Sequence, residues 1–376
     1  MKYVDEFRDS GSARRLVEDI RRTATRRWVL MEVCGGQTHS LLRHGIEEEL
    51  RDTVELIHGP GCPVCVTPAD DIDFAQQLAL RDGVTLASFG DMLRVPGSRR
   101  SLLDVRADGG RVRIVYSPLD AVALAQKNPD QHVVFFAVGF ETTAPATALA
   151  ALQARELGLH NFSLLVSHVR VQPAMEALMI SPGNCVQGFL AAGHVCTITG
   201  FDSYREFVER FGVPVAVTGF EPIDLLEGIR DCVQQLEAGH AMVTNQYERS
   251  VRRDGNEYAQ NAVNRVYEIE DCPWRGFGVI PQGGYRLRTE FEQFDARARF
   301  LFNAGSVVAS NERNDCPAAD VLAGRLRPNE CPHFGIHCTP DSPLGAPMVS
   351  SEGACAAYFR YRTVTPESVS PEEAAT

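Results

Sequence analysis

The sequence predicts an α/β protein with two parallel-sheet α/β lobes, followed by a proline-rich C-terminal segment of different character. Three observations predict it. Short β-branched apolar runs recur along the chain. Most of them end in small residues and lead into a segment of helical period. None alternates cleanly between apolar and polar, which marks strands covered on both faces. Strands alternating with helices indicate parallel sheets.

The expected strands cover 28–33, 54–57, 84–89, 112–116, 133–138, 164–166, 195–198 and 213–217. Between them, 68–80, 119–126, 145–157 and 222–236 carry the amphipathic pattern of helices. From about residue 311 this rhythm stops. The window from Cys316 to Pro347 holds six prolines and three cysteines with little helix or strand period, and such a segment needs a cross-linking metal centre to order it. The expected division is therefore 1–130, 131–245 and 246–376, the last ending in a frayed polar tail. The string Gly-Phe-Glu occurs at 139–141 and again at 219–221, a faint echo consistent with two related halves.

Composition narrows the function. The 376 residues carry a formal charge of −12, which disfavours non-specific binding to nucleic acid. No apolar run reaches the roughly 18–20 residues that cross a bilayer, and the polar N-terminus does not read as a signal peptide. These features lead to the expectation of a cytoplasmic protein. Eleven cysteines are many for such a chain, and in a reducing compartment clustered cysteines point to metal binding or redox chemistry.

Three cysteine groups stand out. Cys34 closes the first expected strand and precedes Gly35-Gly36-Gln37-Thr38-His39. Amides near a helix start favour the thiolate, which is both nucleophile and metal ligand, and His39 is close enough in sequence to accept a proton. A buried strand-end cysteine with a glycine turn is the plain alternative. Cys62 and Cys65 form a C-x-x-C pair with Pro63 inside it, which favours a redox or transient-ligand role over half a zinc site. Cys316, Cys331, Cys338 and Cys355 are separated by fourteen, six and sixteen residues. Four thiolates suit zinc or a [4Fe–4S] cluster, and the Cys331-Pro332 pair tilts the reading to iron–sulfur. Glu352 lies three residues before Cys355 and so falls near the same chemistry. Cys185, Cys196, Cys232 and Cys272 are isolated and read as packing residues, with Cys196 in a strand and Cys232 on a helix.

Taken together, several strings closely resemble the hydrogenase maturation HypD family. They are Met31–Gly36, His58–Cys65, Ser88–Gly97, Gly139–Thr143, Gly219–Pro222, Trp274–Gly276 and Met348–Cys355, spread over almost the whole chain. The resemblance implies two α/β lobes with a C-terminal [4Fe–4S] domain held by the four C-terminal cysteines. It also implies work with a small HypC-like chaperone and a HypE-like cyanide donor, which carries thiocyanate on a cysteine. On the HypC–HypD pair an iron would gain cyanide and carbonyl ligands as the Fe(CN)2CO moiety of [NiFe]-hydrogenases. By resemblance, Cys34 would bind that iron jointly with a cysteine of the chaperone. Cys62 and Cys65 would be a nearby dithiol that changes redox state or touches the iron, fed by the cluster. Where many members have His-Thr-His, this chain has Gln37-Thr38-His39, so a titrating side chain at 37 is absent. A free-standing disulfide oxidoreductase and a zinc-stabilised binding module are the alternatives from other functional classes.

Overall fold

A computed structural model describes residues 5–300 and 316–362. The polar tail beyond 362 and the first residues of the C-terminal segment lie outside this range. The described strands are β1 (Trp28–Glu32), β2 (Val54–His58), β3 (Val84–Ser88), β4 (Val112–Ile114), β5 (His132–Gly139), β6 (Phe162–His168), β7 (Gly188–Ala192), β8 (Val215–Thr218), β9 (Val243–Asn245), β10 (Tyr267–Trp274) and β11 (Gly278–Leu287).

Two parallel sheets form, in the orders β2-β1-β7-β8-β9 and β4-β3-β5-β6. The local chemistry explains them. In β5 the run His132–Gly139 is buried from Val133 onward, and the fully buried Phe135 and Phe136 pack into different apolar cores on its two sides. Each such ring removes enough apolar surface from water to contribute roughly 1.5–3 kcal/mol. Helices follow the strands because their start signals are strong. Ser117 and Asp120 form a capping box ahead of Pro118–Lys127, with proline in the first turn. The helix Pro222–Ala238 stops at Gly239, whose φ of 71° favours glycine.

The strands are apportioned differently from the expected blocks. The first sheet takes β1 and β2, releases the chain, and recovers it at β7, β8 and β9. The second sheet, β3 to β6, is inserted between these halves, so both sheets span the expected boundary at 130/131. Numbered within itself, each sheet has the order 2-1-3-4, extended by a fifth strand in the first. This is a doubly wound arrangement with its switch point between the sheet's first and third strands. The shared order fits two related halves. The two Gly-Phe-Glu strings do not mark equivalent places, since one follows the third strand of its sheet and the other the fourth.

One expected strand is a helix. Residues 195–198 lie in the helix Gly193–Thr199, so Cys196 is helical, and the strand of this region is β7, just upstream. A four-residue β-branched run cannot distinguish a buried strand from a buried helical turn by period. A second difference is the antiparallel hairpin β10–β11. It packs Trp274 against Phe140, with ring centroids 6.0 Å apart, and the indole N–H donates to the Gly283 carbonyl at 3.1 Å. No described helix is long and apolar enough to cross a membrane.

Candidate metal and thiol centre

The switch point of the first sheet is where β1 and β7 separate. Cys34 follows β1 and caps the helix Gly35–Arg43, while His194 follows β7 in the helix Gly193–Thr199. The topology therefore brings them together: Cys34 Sγ lies 3.7 Å from His194 Nδ1. Phe220, after β8, packs beside the His194 ring at 5.3 Å, and a Cβ on Gly36 would meet the Phe220 ring at 3.1 Å. Cys34 is buried, with 6% exposure. Burial, then the Glu32 carboxylate, push its thiol up to about 12. Burial likewise lowers His194 to about 4, leaving a neutral ring with a free lone pair beside a protonated thiol. Such a thiol gives up its proton when a cation takes its place.

Gly61 brings the C-x-x-C loop against Cys34. A Cβ at Gly61 would lie 2.2 Å from the Cys34 backbone nitrogen, and the Gly35 N–H donates to the Gly61 carbonyl at 3.2 Å. Cys62 and Cys65 are joined as a disulfide and are buried. Gly35 plays the same part toward the C-terminus: a Cβ there would meet the Glu352 carbonyl oxygen at 2.3 Å. Glu352 is exposed, and Ser351 beside it donates its hydroxyl to Asp91 at 2.9 Å, joining two further motifs.

A buried polar chain backs this site. The Cys34 N–H donates to Glu32 at 2.7 Å, Thr38 donates to the other Glu32 oxygen, and His58 Nδ1 lies 2.7 Å from Glu32. On its far side His58 meets Glu47 at 3.4 Å, and Glu47 accepts from Tyr358 at 2.9 Å and pairs with Arg362 at 3.0 Å. Burial opposes a charge on His58, but the two carboxylates outweigh it and raise the group to about 9. Burial would also raise Glu47; His58, Arg362 and Tyr358 together hold it below its ordinary value.

Cys316, Cys331, Cys338 and Cys355 line one small cavity with Val321, Met348 and other apolar groups. The Leu344 N–H donates to Cys338 Sγ at 3.3 Å, and a Cβ on Gly345 would lie 2.3 Å from Cys316 Sγ. Burial, then the neighbouring Cys316, Cys338 and Cys331, hold the Cys355 thiol well above its ordinary value. Four thiols crowded in an apolar pocket, one of them met by a backbone N–H, are a donor set that fits a metal–sulfur group. Among the described residues, no three or more His, Cys, Asp or Glu side chains gather as a ligand set for a single metal ion. Cys316 also lines a second crevice, shared with Cys65.

A family model named HypD, described as "Hydrogenase formation hypA family", matches residues 11–362. The hydrogenase maturation factor HypD of Azotobacter vinelandii is 49% identical over 370 residues, covering 96% of this chain and 97% of its own. The hydrogenase expression/formation protein HupD of Azotobacter chroococcum is 47% identical over 96% and 97%. The hydrogenase maturation factor HypD of Escherichia coli is 44% identical over 96% and 98%. The chain belongs to the HypD family of hydrogenase maturation factors.

In this HypD-family chain the expected site residues separate into groups. Cys34, the Cys62–Cys65 loop and the Glu352 backbone meet through Gly35 and Gly61. His39 faces another way: Nε2 contacts the Ser351 carbonyl and Nδ1 lies 3.4 Å from the Tyr361 hydroxyl, which ties its helix to Ala354–Tyr361. The imidazole beside Cys34 is His194, which sequence reasoning missed. Its signal was a Gly-His pair after the apolar run Gly188–Ala192. Gln37 is fully buried and donates to Thr218 at 2.7 Å and to the Ala191 carbonyl at 3.2 Å, bridging β8 and β7. Of the four isolated cysteines, Cys196 and Cys232 are buried and Cys272 is half-buried, whereas Cys185 is exposed and so is not a packing residue.

Proposed function

We infer that this hydrogenase maturation factor is a cytoplasmic scaffold on which an iron receives cyanide and carbonyl ligands, in company with a HypC-like chaperone and a HypE-like cyanide donor. The observation that carries this reading is the convergence of Cys34, its neutral neighbour His194 and the Cys62–Cys65 disulfide at one sheet switch point. The iron is cargo. Cys34 would exchange its proton for the metal, beside the neutral ring of His194. A second thiolate, from the chaperone, would complete the grip.

Electron balance gives Cys62 and Cys65 their part. Releasing cyanide from a thiocyanate breaks an S–C bond and needs two electrons: the sulfur leaves as thiolate and the carbon as cyanide. Oxidation of the Cys62 and Cys65 thiols to their disulfide supplies two electrons. The disulfide is then the spent form, and each cyanide delivered requires its reduction. The four C-terminal cysteines would hold a [4Fe–4S] cluster, which when bound would supply single electrons, and of the four Cys316 also lines a crevice with Cys65. Glu352 fixes the approach of that segment to Gly35, and His39 clamps it through Ser351 and Tyr361.

The test is an infrared spectrum of the protein purified anaerobically with its small partner. Cyanide and carbonyl stretching bands are expected, and Cys34→Ala should lose them while keeping its visible absorption. Bands retained in that variant would remove Cys34 from the role. The disulfide itself favours a second reading, a free-standing oxidoreductase, which requires catalytic reduction of a generic disulfide with no partner present.

A further inference from the structure

We propose that Gln37 is a positioning residue, whose side-chain amide holds His194 and Phe220 in place around the Cys34 thiol. Gln37 lies in the first turn of the helix that Cys34 caps, and its backbone N–H donates to the Cys34 carbonyl at 2.9 Å. Its side-chain nitrogen reaches the ends of two other strands. It donates to the carbonyl of Ala191, three residues before His194, at 3.2 Å. It also donates to the hydroxyl of Thr218, two residues before Phe220, at 2.7 Å. One side chain thus joins the three segments that supply Cys34, His194 and Phe220. Groups behind a metal ligand fix its orientation and its surroundings.

The strands alone do not fix this arrangement. β1 is paired with β7 only as far as Glu32 and Leu190, whereas β7 and β8 stay paired through Ala192 and Thr218. The bond from Gln37 to Ala191 spans the gap one residue past the last β1–β7 pair. The two helix starts add no tie of their own, because neither Cys34 nor Ala192 caps its helix with a side-chain hydrogen bond. Thr218 is a firm anchor for the amide. It is fully buried, and a Cβ on Gly193 would lie 2.3 Å from its carbonyl oxygen. A Cβ on Gly228 would lie equally close, at 2.3 Å, to its methyl group.

As mere filling, an amide is a poor choice here. Gln37 is fully buried, and its carbonyl oxygen Oε1 has no hydrogen-bond partner among the described residues. An unpaired buried acceptor is destabilising, and an apolar side chain of similar volume would avoid that cost. What an apolar side chain lacks is two donors on one nitrogen, aimed at acceptors on different strands. A neutral imidazole has a single N–H and could serve only one of them. The importance of this tether for the iron rests on the reading of Cys34 as the iron-holding thiol. The placing of His194 by Gln37 does not depend on that reading.

The test is nuclear magnetic resonance of the full-length protein labelled with 15N-histidine. The His194 ring signals are identified by their loss in His194→Gln. Gln37→Leu should shift or split those signals. Thr218→Val keeps the side-chain shape and removes one of the two acceptors, so it should move the same signals by less. If Gln37→Leu does not fold, Thr218→Val carries the comparison alone. Thr85→Val removes a hydroxyl bond to Gln131 in the other sheet and should leave the His194 signals unchanged. Signals unmoved in the folded Gln37 and Thr218 variants would overturn the proposal, as would an equal movement in Thr85→Val. Infrared spectra with the small partner then test the link to iron. Gln37→Leu should broaden or displace the cyanide and carbonyl bands, and bands identical to the wild type would overturn that link. Absence of bands from the wild type would overturn the reading of Cys34, while the His194 comparison still decides whether Gln37 positions that ring.

Discussion

Cys34 is buried beside His194 at the end of β1. Its place after an apolar run and before two glycines was legible, because close backbone approach needs glycine. What packs closely there is the protein's own backbone, since a Cβ at Gly61 or Gly35 would overlap Cys34 or Glu352. His194 was not legible, because a lone histidine in a short β-branched segment carries no period. Behind Cys34, His58 gives a prediction with a sign. Its folded value, about 9, lies above its ordinary value, so the folded form binds the proton more tightly. The stability this contributes, on the order of 3 kcal/mol, is fully present below about pH 6.5 and is lost as pH rises through about 9. Urea unfolding of the wild type should therefore weaken between pH 6.5 and 9.5, and His58→Gln should show a flatter profile over the same window. Parallel profiles would contradict the Glu32–His58–Glu47 arrangement.

At the scale of elements, most strands were readable because parallel strands buried on both faces are near-continuous apolar runs. β7 escaped because Gly188-Phe-Leu-Ala-Ala has no β-branched residue, and the following turn of helix attracted the strand assignment instead. The hairpin β10–β11 was missed because two prolines and four glycines interrupt residues 267–287, and because Ile269 is exposed while Glu268 and Glu270 are half-buried, against the usual pattern. Its anchor is Trp274, 2% exposed, so Trp274→Ala should cost about 3–5 kcal/mol in chemical denaturation. Gly61→Ala is expected to act locally. Overlap with the Cys34 backbone should separate the loop from β1 at a cost of about 1–3 kcal/mol. A thiol-alkylation assay on the reduced protein should then find Cys34 more reactive than in the wild type. An unchanged Cys34 rate would show that the contact with Gly61 does not enclose it.

For the whole molecule, the cysteine groups were legible in sequence and the domain plan was not. The boundary at 130/131 assumed that each lobe is continuous, whereas the second sheet is inserted into the first. Sequence periodicity reports each strand's environment but not its neighbours. A fragment 1–130 would leave β1 and β2 without β7, and β3 and β4 without β5, so it should show no cooperative thermal unfolding by circular dichroism. A cooperative fragment would argue against the inserted topology. The insertion also positions the candidate site, because the chain re-enters the first sheet at β7 beside β1, where Cys34 and His194 meet. The central claim is that Cys34 holds a low-spin iron distinct from any iron held by the four C-terminal cysteines. Mössbauer spectroscopy of 57Fe-labelled protein, isolated with its small partner, separates the two. The wild type should show cluster iron together with a separate low-spin component, and Cys34→Ala should keep the first and lose the second. A low-spin component that persists in Cys34→Ala would contradict the account.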